Sequence, residues 1–278
     1  ERYVNEFKRG GYQMNIGIVG LGIVGSAIKF GFEKLGNTVH AHDKKLDTKL
    51  EDLLGCEIIY LCVPTNQSED GSCDTSIVEE CVDSLSNLKY AGVVAIKSTV
   101  VPGTTSKLME RYGDHLSLAF VPEFLRERCA LYDFVENNTL LAVGTECNKV
   151  YDIVLKSHGS YFKDSVMLKP TEAEMLKYYS NVFNALRIIF ANEVYEVCEA
   201  LGADYTSIKN AFIRYSGLED KYLDVNDNFR GYGGTCLPKD VKALAKLTKD
   251  LNLNMSLFDL IDSENSKFER TVFEGMRL

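Results

Sequence analysis

The stretch Gly231-Tyr232-Gly233-Gly234-Thr235-Cys236-Leu237-Pro238-Lys239-Asp240 concentrates residue types that do covalent chemistry. Its glycines permit backbone conformations closed to other residues and leave room for a ligand against the main chain. Pro238 suits a first helical position, and VKALAKLTKDL after it reads as helix. Cys236 therefore precedes a helix N-terminus, where the dipole and free N–H groups stabilise a thiolate. Lys239 adds positive charge, and Asp240, four residues on from Cys236, projects from the first turn toward the same side. The plainer alternative is a buried cysteine beside a structural glycine turn.

A second constellation lies near the start. Gly20-Leu21-Gly22-Ile23-Val24-Gly25 follows an apolar strand pattern, opens a helical one, and is followed by Asp43 at the end of the next strand. In that context Gly20 permits the tight turn, Gly22 lets backbone approach a pyrophosphate, and Gly25 lets helix pack on strand. Asp43 can accept both ribose hydroxyls and repel a 2′-phosphate, which favours NAD over NADP, although Lys44 and Lys45 soften that preference. A glycine-rich turn without a cofactor is the competing reading.

The elements that must position these groups alternate. NIGIVGLG, TVHAHD, EIIYLCVPT, GVVAIKSTV, LSLAFVPEF and TLLAVGT are apolar runs of strand length, separated by helical patterns that include IVGSAIKFGFEKLG and LDTKLEDLLG. Alternation of this kind predicts an α/β fold, a doubly wound parallel sheet of the Rossmann type, over residues 14–168. Beyond Lys169-Pro170 the texture becomes helical. TEAEMLKYYSNVFNALRIIFANEVYEVCEALG opens on a Thr171-x-x-Glu174 capping box and closes at Gly202, and further helices are expected at 205–215, 239–251 and 257–275. An all-α domain over 169–278 follows. Residues 1–13 show no periodicity and read as an N-terminal extension, with a short ordered arm as the alternative.

Composition narrows the function classes. The 31 basic and 40 acidic side chains leave a formal charge of −9, against any broad nucleic-acid or anionic-membrane surface. No apolar run reaches the length of a membrane span. The eight cysteines (56, 62, 73, 81, 129, 147, 198 and 236) form no CxxC pair, which points to reduced thiols in the cytoplasm rather than to disulfides or zinc. His40, His42, His115 and His158 have no metal-ligand spacing, so no metal is expected.

Together these residues resemble the UDP-glucose/GDP-mannose dehydrogenase family, and most of all its UDP-glucose 6-dehydrogenase branch. The resemblance rests on GLGIVG, CVPTN, KSTVVPGTT, VPEFLRE, TEAEMLKYYSNVFNALR and GYGGTCLPKD, in family order from about Met14 onward. It implies a C6 alcohol oxidised through an aldehyde, a Cys236 thiohemiacetal and a thioester to a carboxylate, using two NAD per sugar. By motif position it makes Lys177 and Asn181 oxyanion stabilisers, Asp240 a general base, and Thr99 the holder of a water near it. Glu123 becomes the base for thioester hydrolysis. Glu127 falls nearer the cofactor, Lys239 on the pyrophosphate, and Ile23, Val24, Pro64, Thr65 and Thr99 beside the dinucleotide. Glu123, Phe124, Leu125, Arg126, Lys177, Asn181, Tyr232, Gly233 and Gly234 line the nucleotide-sugar pocket, and the family pattern implies a homodimer through the central helices.

Each assignment has a plainer counterpart: Lys177 as a solvated helix lysine, Asn181 as an ordinary polar helix residue, Glu123 and Glu127 as capping carboxylates, Thr99 as a strand-end hydroxyl. Two departures from the family pattern stand out. The third, C-terminal domain that grips the nucleotide is expected to be missing, and only KKLDTKLEDLLG separates Asp43 from the next strand. Two rival functions keep the architecture: a β-hydroxyacid or 6-phosphogluconate-like dehydrogenase, which needs no thiol, and an NAD-binding module without catalysis.

Overall fold

The computed structural model describes residues 13–268, and these divide into two compact units. The expected extension at 1–13, apart from Gln13, and the end of the helix expected at 257–275 lie outside the described residues.

The first unit holds residues up to Asn66 together with Asp74–Lys177. Its strands are β1 (Asn15–Val19), β2 (Thr38–His42), β3 (Ile58–Leu61), β4 (Val93–Ile96), β5 (Ser117–Phe120), β6 (Asn138–Gly144) and β7 (Phe162–Leu168). They form one sheet in the order β2-β1-β3-β4-β5-β6-β7. Helices α1 (Ile23–Lys34), α2 (Ser76–Asn87), α3 (Thr104–Tyr112), α4 (Ala130–Glu136) and α5 (Asn148–His158) connect them.

Strand periodicity divides the core into two layers. Ile16, Ile18, Ile58, Tyr60, Val93, Ala95 and Ala119 pack on one face with Ile28, Phe32, Phe134, Val150 and Val154. The alternate positions Val19, Ile59, Leu61, Val94, Ile96, Leu118 and Phe120 pack on the other with Val78, Val82, Leu85, Leu108 and Tyr112. Strands buried on both faces must be apolar at every position, which is why these runs read as unbroken hydrophobic stretches.

The doubly wound sheet is as expected, with corrections of detail. All pairings are parallel except β5–β6, which meet antiparallel at the single pair Phe120↔Gly144. Helix α4 spans about 10 Å at the usual rise, too little to carry the chain back along the sheet before β6 begins. A side chain at Gly144 would fall 2.8 Å from the Ala173 Cβ, so the junction needs a glycine. Strand β7 was not anticipated, because its half-exposed FKDSVML has no continuous apolar run. LDTKLEDLLG forms only a short 3-10 turn at Leu50–Leu53, not a full helix.

Helix α6 runs Pro170–Leu201 and passes from the first unit into the second at Lys177. The Thr171–Glu174 capping box does not form. The helix begins at Pro170, two residues before that box would start it, and Glu172 accepts the Lys169 N–H at 2.9 Å, while the Thr171 hydroxyl meets Ser106 at 3.0 Å. Glu174, fully buried, turns instead to the start of α3, accepting from Gly103 N at 2.6 Å and Thr105 N at 2.7 Å.

The second unit comprises the strap Gln67–Cys73 and residues from Tyr178 onward. It contains the remainder of α6, then α7 (Tyr205–Ser216), α8 (Leu237–Asp250) and α9 (Leu257–Asn265). Helix α7 starts at Asp204, whose carboxylate accepts from Thr206 N and Ser207 N, and stops at Gly217 in the left-handed region. Ala191, Cys198, Tyr205, Leu223 and Val225 form its buried cluster. Among the described residues no helix is long and apolar enough to cross a membrane.

One buried group in the first unit links the fold to pH. His158, completely enclosed, lies against the Phe32, Tyr60 and Phe134 rings. Its Nδ1 donates to Val154 O at 2.9 Å, and its Nε2 is buried with no hydrogen-bond partner among the described residues. Burial, with repulsion from Lys97, pushes its pKa down to about 3. The unfolded chain takes up this proton near pH 6.5 and the folded chain does not, so stability is full above that pH and falls below it. Urea titrations between pH 8 and 5 should show the wild type losing about 2 kcal/mol more than a His158→Leu variant. Equal losses would show that the histidine is not the source.

Candidate active site

The glycine turn sits at the C-terminal edge of the parallel sheet, between β1 and β3, where the strand order reverses direction. Ligands of open α/β sheets bind at this place. Gly20 has φ +90° and its missing Cβ would lie 2.6 Å from Cys62 O. Gly25 is tighter, since a Cβ there would lie 1.9 Å from Gly20 O. These contacts let α1 start hard against the strand ends, with its N-terminus facing outward. Gly22 is different: nothing lies within 4 Å of the space its Cβ would take. Ile23 is exposed and Val24 half-buried at the head of α1.

Asp43 stands at the end of β2 and organises this turn. One oxygen accepts from Leu21 N at 2.7 Å and the other from Lys45 N at 2.9 Å. Those N–H groups hold its carboxyl below the usual range, so it is anionic at neutral pH with acceptor capacity left over. The open space above Gly22, the outward helix N-terminus and the anionic Asp43 fit a dinucleotide: backbone for the pyrophosphate, carboxylate for a ribose. Pro64 is exposed and Thr65 buried just past β3, on the same edge.

A second cluster follows β4 and β5. Lys97, buried at the end of β4, lies 2.8 Å from Glu123 Oε2. Glu123 Oε1 accepts from Phe124 N at 2.8 Å and Leu125 N at 3.1 Å. Lys177, buried on α6, donates to the Glu123 carbonyl and sits over the Phe124 ring, 5.6 Å from its centroid. Two lysines thus converge on Glu123, one on its carboxylate and one on its backbone. Thr99 is half-buried in the loop after β4.

Leu125 is half-buried and packs against the core. Arg126 is engaged with Asp133, donating from Nε at 2.9 Å and from its terminal nitrogen at 2.6 Å. Burial pushes the Asp133 carboxyl up, but Arg126 and neighbouring donors outweigh it and bring the pKa down to about 2. Glu127 is exposed at the start of a short 3-10 turn.

In the second unit, Asn181 donates to Asp240 Oδ2 at 2.6 Å, and Asp240 is almost fully buried. Lys239 Nζ lies 3.7 Å from the other Asp240 oxygen. Cys236 is exposed and is the residue preceding the first turn of α8, with Pro238 second in that helix rather than first. Two buried asparagines hold the loop leading to it. Asn192 Oδ1 accepts from Gly231 N at 3.2 Å, and Asn265 Oδ1 accepts from Tyr232 N at 2.7 Å while its Nδ2 donates to Tyr232 O at 3.0 Å. Tyr232 is buried, Gly233 is half-buried, and Gly234 is exposed at φ +77°.

Sequence reasoning passed over Lys97, Asn192 and Asn265. Lys97 left a readable trace, a lone cation closing the apolar run GVVAIK. The asparagines left none, since a polar helix residue looks alike whether it faces water or a loop.

Two family profiles match this chain. Residues 42–156 match the UDP-glucose/GDP-mannose dehydrogenase family, NAD binding domain, and residues 171–267 match the same family's central domain. The chain belongs to the UDP-glucose/GDP-mannose dehydrogenase family. The matched domain makes NAD the cofactor, in accord with the fit of the turn around Gly22 and Asp43.

A UDP-glucose 6-dehydrogenase of Rickettsia bellii is 29% identical over 224 residues, covering 78% of this chain and 51% of its own length. This member of the family thus spans about half the length of the curated relatives it matches. A UDP-glucose dehydrogenase from Pyrobaculum islandicum superposes with TM-score 0.85 at 27% identity, over 93% of this chain and 69% of that one. Mycobacterium tuberculosis 3-hydroxyisobutyrate dehydrogenase shares the fold alone, with TM-score 0.76 at 14% identity, over 92% of this chain and 94% of that one.

The two glycines should separate packing from ligand contact. Gly25→Ala should lower the melting temperature of the ligand-free protein, because its methyl cannot fit beside Gly20 O. Gly22→Ala should leave that temperature unchanged within about 2 °C yet weaken NAD at least about tenfold in a fluorescence titration. Unaltered NAD affinity in Gly22→Ala would place the pyrophosphate elsewhere.

Proposed function

We propose that this chain is an NAD-dependent nucleotide-sugar 6-dehydrogenase, with UDP-glucose the favoured substrate and the uronic acid its product. The observation that carries the reading is Cys236: an exposed thiol at the start of α8, at the end of a loop pinned by buried asparagines, four residues before an Asp240 bonded to Asn181.

Bound NAD supplies the hydride acceptor for each of two oxidations. Gly20, Gly22, Ile23, Val24, Gly25, Asp43, Pro64, Thr65, Thr99, Glu127 and Lys239 are assigned to hold it. In the first oxidation the C6 hydroxyl gives its proton to Asp240, the general base, through a water held by Thr99, and a hydride leaves C6. Lys177 and Asn181, one helical turn apart on α6, donate to the oxygen as its charge grows. The Cys236 thiolate then adds to the aldehyde carbon, forming a C–S bond and a thiohemiacetal that still carries a hydride on C6. Loss of that hydride gives a thioester. Water, deprotonated by Glu123, attacks the carbonyl, the C–S bond breaks, and the carboxylate leaves with the thiolate restored. One sugar, two NAD and one water become one uronate, two NADH and three protons.

Phe124, Leu125, Arg126, Tyr232, Gly233 and Gly234 are assigned to the sugar nucleotide. For Arg126 that contact would compete with its bidentate bond to Asp133, and for Tyr232 it would come from backbone, since the ring is buried. We assign the NAD-binding domain to 14–168 and the helical domain to 169–278. Exposed Tyr179, Phe183, Phe190, Val197 and Leu201 along α6 support a homodimer through these helices. The eight free cysteines suit a reducing cytoplasm.

The test is NADH yield from limiting UDP-glucose, run to completion. About two NADH per sugar, abolished in Cys236→Ala, is the expected result. A Cys236→Ser variant that keeps full turnover would favour a hydroxyacid-type dehydrogenase. NAD binding by calorimetry without sugar-nucleotide binding would favour a binding module.

A further inference from the structure

Glu123 carries more constraint than a base in a loop needs. Its Oε1 accepts two backbone N–H groups, from Phe124 and Leu125, which fills that atom's lone pairs. The other oxygen, Oε2, is buried, makes no hydrogen bond among the described residues, and faces the ammonium of Lys97 at 2.8 Å. The Lys97 side chain is 3% exposed, so this cation has been withdrawn from water to meet one carboxylate oxygen. A lysine so placed at the end of a central strand is rigid, with β4 behind it and packed core on both sides.

We infer that Lys97 is a positioning residue for the hydrolytic half of the reaction: it holds the Glu123 carboxylate in one orientation. This rests on the reading of Glu123 as the base of thioester hydrolysis. The water's proton passes to the Glu123 carboxylate, its oxygen bonds to C6, and the C–S bond breaks with the electron pair returning to Cys236. Lys97 neither gains nor loses a proton. Because it acts on this step alone, both hydride transfers proceed without it.

The experiment compares wild type, Lys97→Met, Lys97→Arg and the double variant Lys97→Met/Glu123→Gln. NADH is followed on a rapid timescale and the intact protein is weighed by mass spectrometry after quenching. Lys97→Met should form its first two NADH per site at the wild-type rate. Its steady-state kcat should then fall by about tenfold to a hundredfold, the range for weakening a positioned base, with KM not increased. Protein carrying the sugar nucleotide as an acyl adduct should accumulate. Lys97→Arg should recover part of the rate. The double variant removes both buried charges, so it should unfold later than Lys97→Met yet hydrolyse no faster.

Steady turnover equal to wild type in Lys97→Met, or a loss without adduct, overturns the inference. So does recovery of turnover in the double variant, which would make the pair purely structural. If Lys97→Met does not fold, Lys97→Arg and the double variant carry the same comparison: a Lys97→Arg rate equal to wild type, with no adduct in the double variant, counts against it. Wild type that makes no NADH from any nucleotide sugar overturns the underlying reading itself, a result distinct from a normal burst with normal hydrolysis in Lys97→Met.

Discussion

The buried carboxylate of Glu174 is the contact on which the placement of Lys177 depends. It stands on the second turn of α6, within the first unit, and accepts from the N–H groups of Gly103 and Thr105 at the start of α3. Burial raises its carboxyl, and the donors from Thr105 and Gly103 pull the other way. An anion at a helix N-terminus satisfies groups that would otherwise be orphaned, and here donor and acceptor come from different elements. The bond fixes the rotation and height of the opening turns of α6, Pro170–Lys177, within the first unit. Lys177, less than one turn further on, then reaches the carbonyl of Glu123 and the face of Phe124. A different rotation of the helix would take the lysine away from both.

The other polar side chains of the first unit obey the same logic. The central strands β1, β3, β4 and β5 are apolar on both faces, and charged groups stand just where strands end: Asp43 after β2, Lys97 after β4, Glu123 after β5. Each has a partner near 2.7–2.9 Å. An unpaired charge at that depth would cost several kcal/mol, whereas a matched one keeps its charge and its orientation. Parallel pairing of β1, β3, β4 and β5 brings those ends to one edge, so the fold gathers ionised groups without any sequence motif specifying the gathering.

This explains what could be read from the chain beforehand. Alternating apolar runs and helices announced the parallel sheet, and the glycine spacing announced its ligand edge, because both are local patterns with one physical cause. Partner choice was harder to see. Thr171 and Glu174 have the spacing of a capping box, yet each side chain finds a stronger use across the structure, with Ser106 and with the start of α3. Strand β7 escaped because an edge strand needs only a half-buried face. Lys97 closes an apolar run in the sequence, and only tertiary structure shows what it meets.

The surroundings of Cys236 combine a legible part with an illegible one. Proline in the α8 start was plain in the sequence, but its position one residue later than expected changes its effect. A residue before a helix normally folds its side chain back onto the N–H of the second or third helical residue. At the second position here stands Pro238, which has no N–H, and Cys236 itself has helical φ −98° and ψ −57° instead of the extended backbone of a capping residue. Its sulfur makes no capping bond. The thiol therefore stays beside the positive end of the helix without being consumed by it, and the Thr235 hydroxyl lies 3.6 Å from it. Asparagines 192 and 265 complete the arrangement by fixing the backbone ahead of it. A thiol free of a capping bond, on a main chain held by two asparagines, is what the proposed role of covalent nucleophile requires.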